Sequence, residues 1–196
     1  MNAATTVLAV VVAYFMGTIP SAIVIARSKG VDITTFGSGN PGATNVGRAL
    51  GTKYFVICML MDAGKSFVPT VAMVGDRHVA YMCGAAAIVG HIFPVTRKLK
   101  GGKGIAAGAG VLLAVQPVAA LAAFAAWLLL SRTTGKSSIG SIAAVPVAVA
   151  ALALSGVPAW EVWSMVGIGL LVEIRHIGNI KRLLSGSENR MSDTPS

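Results

Sequence analysis

Charge is scarce in this sequence, and acid is scarcer still. Only 12% of the 196 residues are charged, and seven acids stand against sixteen lysines and arginines. With 55% hydrophobic residues and a mean hydropathy of +0.75, an ordinary soluble domain is excluded. Cysteine is nearly absent. Cys58 and Cys83 both fall inside apolar runs, which reads as two buried thiols rather than a disulfide. No His/Cys/carboxylate spacing suits zinc, so neither a metal nor any other cofactor is expected. Walker A is missing everywhere it could start: Gly64-Lys65-Ser66 has Met59 where a glycine is needed, Gly135-Lys136-Ser137 has Leu130, and Gly101-Gly102-Lys103-Gly104 lacks the following Ser or Thr. Nucleotide hydrolysis therefore has no support. There is no GxSxG elbow and no Cys–His pair on a polar face, so a reaction here would rest on orientation and charge stabilisation. No basic segment precedes the first apolar run, and that run is too long for a cleaved signal, so it is expected to be retained.

What the chain does contain is a series of apolar runs. About 20 apolar residues cross a bilayer, and the sequence predicts an all-α, polytopic integral membrane protein. Spans are expected at 3–26, 54–74, 78–95, 142–154 and 160–172. The run 105–130 is long enough for one tilted helix, but Gln116 and Pro117 near its middle favour two short helices, because proline removes a helix bond. Seven crossings with the N-terminus outside put fourteen lysines and arginines on the cytoplasmic side and only Arg77 outside. That asymmetry is the one that sets orientation, and it explains the net charge of +9 without a nucleic-acid partner. A single span over 105–130 would turn Arg132, Lys136 and the basic C-terminal cluster outward. The charge pattern thus supports the break. Residues 1–188 read as a single transmembrane domain, and 189–196 as a disordered tail.

The loop at residues 36–51, FGSGNPGATNVGRALG, suits neither membrane nor core. It holds five glycines and no acid. Closely spaced glycines can bring N–H groups up to an anion, and Ser38, Asn40, Asn45 and Arg48 add side-chain donors. A site for a phosphorylated molecule is one reading, and a flexible connector is the other. A lysine among glycines at 101–104, just before a span, offers a second cationic loop. The loop 131–141 is a third small-residue segment. His91 and His176 sit at cytoplasmic span ends. Glu173, His176 and Asn179, spaced by three, fall on one stripe of a helix with Arg182 a turn further on. Asp62 and Lys65 lie mid-span, three apart, as an ion pair or as a transporter-like coupling site.

Three ordered segments carry a resemblance over residues 17–188: SGNPGATNVGRALG (38–51), GHIFPV with KGGKGIA (90–106), and RHIGNIKRLLSGSE (175–188). With these the chain resembles the bacterial acyl-phosphate:glycerol-3-phosphate acyltransferases, a seven-helix membrane family with a cytoplasmic active site. The resemblance implies transfer of a fatty acyl group from acyl phosphate to the 1-hydroxyl of sn-glycerol 3-phosphate at the bacterial inner membrane. It implies phosphate contacts from Ser38, Arg48 and Lys103, with Asn45, His176 and Asn179 around the reacting hydroxyl. Gly39, Asn40, Gly42, His91, Gly101, Gly102, Ser141, Arg182 and Glu188 join as further substrate-site members. Leu99, Ala107 and Ile177 depart from the family's usual Phe, Thr and basic residue. The rival reading is a membrane transporter of an organic phosphate.

Overall fold

The long apolar runs become helices because an apolar segment in lipid must satisfy its own backbone. A computed structural model describes residues 1–192. Among them, five segments are long and apolar enough to cross a membrane: Ala3–Arg27, Thr52–Val71, Arg77–Arg97, Pro117–Thr134 and Ser137–Leu154. Large aliphatic side chains point outward on these helices, with Val118 75% and Leu154 88% exposed. Such surfaces belong against lipid. The chain forms two compact units, Met1–Val115 with Ser192, and Gln116–Met191.

The first unit opens with α1 (Ala3–Gly17), capped by the Asn2 side chain on the Thr5 amide. The expected single span over 3–26 is interrupted at Thr18–Pro20, and α2 (Ser21–Arg27) follows. Pro20 has no N–H to continue the ladder. The expected loop from 27 to 53 contains a short helix of its own, α3 (Ala43–Leu50), before α4 (Thr52–Val71), α5 (Arg77–Ile92), a 3-10 turn at Val95–Arg97, and α6 (Ile105–Val115). These helices meet through small residues. A Cβ on Gly17 would overlap the Ala87 carbonyl, one on Gly90 the Tyr14 carbonyl, and one on Gly110 the Ala63 carbonyl. This is how membrane helices gain van der Waals contact. Tyr14 also ties α1 to the end of α5, donating its hydroxyl to Phe93 O (2.9 Å) and accepting from the Val95 amide (3.2 Å). Cys58 and Cys83 are both free and fully buried.

The second unit begins at the predicted break: Gln116 is non-helical, and α7 (Pro117–Thr134) starts with proline at its first position. α8 (Ser137–Leu154), α9 (Ala159–Ile174) and α10 (Ile177–Leu184) complete it. The loop expected over 131–141 shrinks to Gly135 and Lys136. Thr133 and Thr134 satisfy their hydroxyls on Leu129 O and Leu130 O of their own helix, so these polar residues stay helical. Gly140 brings α8 against Ser131 and the Trp127 carbonyl of α7. Of the expected tail, 193–196 lie outside the described residues, while the Met191 amide donates to Gly135 O (2.8 Å).

Candidate active site

The first unit carries the glycine-rich loop. Ile33 and Val46 anchor it in a core shared with Ala22, Ile25 and Cys58. Asp32 starts the loop by accepting from the Thr34 hydroxyl (2.6 Å) and amide (2.9 Å), bonds that hold its carboxyl below the ordinary range. Asn45, expected beside a reacting hydroxyl, braces the loop. It is 2% exposed, its Nδ2 donates to Ile33 O (3.2 Å) and Phe36 O (2.9 Å), and its Oδ1 accepts from the Ser38 amide (3.3 Å). An amide has two donor hydrogens, and both are engaged.

The glycines likewise build the turn. The Gly39 amide donates to Phe36 O (2.9 Å) and the Gly42 amide to Asn40 O (3.0 Å). Gly39 takes φ +66°, where a side chain would be strained. Asn40 turns its own amide toward Ser38 Oγ (3.4 Å). The expected anion nest is therefore not formed by the Gly39 and Gly42 N–H groups, which serve the loop. Ser38 is exposed and Arg48 half-buried.

At Gly101–Gly104 the same rule holds. The Gly101 amide donates to Ile92 O and the Gly102 amide to His91 O, each at 3.1 Å. These N–H groups hold the loop to the end of α5, leaving half-buried Lys103 as the cationic side chain between them and α6. His91 has company that its position in the sequence does not disclose. Its Nδ1 lies 3.6 Å from Asp62 Oδ1, which also takes Lys65 Nζ at 2.8 Å. Lys65 donates in addition to Ile19 O (2.8 Å), the carbonyl exposed by the break between α1 and α2. All three side chains are buried and border a pocket of about 20 Å³, along with Pro41, Arg97, Gly101 and Gly102. That volume suits a water molecule rather than a substrate. With both charges paired inside the helices, Asp62 and Lys65 do not form the open coupling site a transporter would use.

The second unit carries the third motif. The predicted polar stripe is broken: α9 ends at Ile174, and His176 caps α10, its amide bonded to Glu173 O (2.8 Å). Glu173 thus belongs to a different helix from Asn179. The cause is the change in pattern after residue 174, from mostly apolar to amphipathic, which turns the chain out of its span. His176 is 2% exposed, and its Nδ1 lies 2.8 Å from Val172 O. A carbonyl only accepts, so the neutral ring carries its proton on Nδ1 and presents Nε2 as the acceptor. Three residues on, Asn179 donates its Nδ2 to buried Glu188 (2.7 Å), which also accepts from Arg182 Nε (2.8 Å). Burial raises the Glu188 carboxyl, but hydrogen bonds from Asn179, Ser138 and Arg182 outweigh it and hold the group below its ordinary value. Ser141 is buried one turn along α8 from Ser138.

A family profile described as "Glycerol-3-phosphate acyltransferase" matches residues 7–186. The glycerol-3-phosphate acyltransferase of Aquifex aeolicus is 42% identical over 185 residues, covering 92% of this chain and 96% of the relative. That of Syntrophotalea carbinolica is 44% identical over 187 residues, covering 91% and 93%. The chain belongs to the glycerol-3-phosphate acyltransferase family. The crystal structure of PlsY (YgiH), an integral membrane glycerol 3-phosphate acyltransferase, in its glycerol 3-phosphate form superposes with a TM-score of 0.91, 41% identity and 95% coverage of both chains. Its lysophosphatidic acid form gives 0.89. Within the acyltransferase motifs, Ser138 and the Asp62–His91 contact escape sequence reading. Ser138 lies in the small-residue segment SSIGS (137–141), from which only Ser141 was expected at the site, and Asp62 meets His91 only because α4 and α5 pack side by side.

Proposed function

We infer that this protein transfers a fatty acyl group from acyl phosphate to the 1-hydroxyl of glycerol 3-phosphate, giving lysophosphatidic acid and inorganic phosphate. The observation that carries this is the 41% identical PlsY structure in its glycerol 3-phosphate form, matched along 95% of the chain. The family profile crosses the boundary between the two units, which supports one acyltransferase domain over residues 1–188. The charge asymmetry supports seven crossings, an outer N-terminus and a cytoplasmic active site in the bacterial inner membrane.

Acyl phosphate arrives activated, so no covalent enzyme intermediate is needed. The glycerol 1-hydroxyl oxygen attacks the acyl carbonyl carbon, the bond from that carbon to the phosphate oxygen breaks, and phosphate leaves with the electron pair. The hydroxyl proton passes to His176 Nε2, the acceptor nitrogen left by the Val172 bond. Ser38, Arg48 and Lys103 hold phosphate groups through charge-assisted bonds. Asn179 and Arg182, fixed by Glu188, orient the acceptor, and Ser141 is a further substrate-site member. Gly39, Asn40, Gly42, Gly101 and Gly102 shape the loops that present those donors, and Asn45 braces the first of them. The test is phosphate release from acyl phosphate by the detergent-purified protein. Release that depends on added glycerol 3-phosphate is expected. A folded protein that consumes neither substrate would defeat the reading.

A further inference from the structure

The Asp62–Lys65–His91 cluster lies inside the helices, and the reaction as derived gives it no task. Three observations converge on what it holds. First, the edge of the His91 ring lies directly against Gly102: a Cβ built there would collide with Nε2 and Cε1. Second, the His91 backbone carbonyl accepts the Gly102 amide, so one residue grips Gly102 from below and from the side. Third, the ring's other nitrogen faces Asp62, whose carboxylate is itself fixed by Lys65, and Lys65 by the Ile19 carbonyl. Arg97 also borders the space around the ring. Lys103 is the very next residue, and Gly104, at φ +95°, separates it from the start of α6. The Lys103 backbone therefore lies between a clamped glycine and the start of a helix.

We propose that His91 is a positioning residue: its imidazole, oriented by Asp62 and Lys65, is the floor on which Gly102 rests and thereby sets where Lys103 presents its charge. The ring takes no proton from substrate and touches no reacting atom. This rests on Lys103 being a phosphate contact. A displacement of about 1 Å in a substrate-holding group costs on the order of a hundredfold in rate, so the floor has leverage over catalysis.

The experiment is a double-mutant cycle on the purified full-length protein with kcat and KM measured for both substrates. Gly102→Ala places a methyl group on the ring and is expected to lower kcat/KM by about tenfold or more. His91→Ala removes the floor, and is expected to raise the KM of the phosphate substrate held by Lys103 more than it lowers kcat. It also opens room for the methyl. The double variant is therefore expected to outperform Gly102→Ala alone by several-fold, and the rise in KM rather than a fall in kcat separates positioning of Lys103 from a purely structural contact. Effects that simply multiply would overturn the proposal. If Gly102→Ala does not fold, His91→Phe against His91→Ala decides: the planar ring should retain more activity, and equal or lower activity rejects the floor. Lys103→Ala runs alongside. Full activity there rejects the phosphate-contact reading, whereas a costly Lys103→Ala with no coupling between 91 and 102 rejects the positioning role alone.

Discussion

At the scale of single residues, the proposed reaction asks some groups to meet phosphate and others to hold loops. It assigns Arg48 and Lys103 to the first class, and replacing either with alanine is expected to lower kcat/KM by about 10²–10³, or 2.7–4 kcal/mol. Steady-state assays check this, and near-normal turnover would remove either residue from its role. Asn45 belongs to the second class. Asn45→Ala leaves the Ile33 and Phe36 carbonyls without their buried partner, at about 1–3 kcal/mol for a buried polar group. Its signature is a lowered melting temperature, so an unaltered melt with lost activity would return Asn45 to the chemistry. Glu188 is the pH-dependent member. Its carboxyl lies below the ordinary 4.5, so its contribution is complete above that value and is lost as pH falls through the lower folded one. Melting curves should decline below pH 4.5 in the native protein, and Glu188→Gln should be less stable at neutral pH while losing part of that acid sensitivity.

At the scale of elements, the helices are spaced by glycine. Gly110→Leu would drive a side chain into the Ala63 carbonyl and separate α6 from α4. Overpacking costs about 1–3 kcal/mol or more, and the expected result is poor yield in detergent and a depressed melting temperature. Wild-type behaviour would mean that α4 and α6 do not touch there. The five long apolar helices and the break at Gln116–Pro117 were legible in the sequence because long apolar runs and a mid-run proline have few structural solutions. α3 was not, since its eight residues sit among glycines whose composition reads as irregular chain. The inward turn of Asn45 was hidden for the same reason: a polar amide in a polar loop looks like a ligand donor until its carbonyl partners are seen. The turn before α10 escaped because three-residue spacing continues across Arg175 and His176 as if the helix did. Asp62 and His91 lie on different helices, and no local pattern joins them.

At the scale of the whole molecule, orientation is the quantity that the arrangement of basic residues controls. Reporter fusions at Gly75, Gln116 and Ser155 are expected to read as external, and fusions in the 27–53, 96–104 and C-terminal segments as cytoplasmic. A cytoplasmic reading at Gln116 would eliminate the crossing between 105 and 130 as two helices and invert everything after it. The sealed thiols make such mapping simple. Because Cys58 and Cys83 are closed off within the helices, the native protein should be silent toward water-soluble maleimides. A single cysteine placed in any loop then reports its own side of the membrane, with no need to strip the wild-type sequence first.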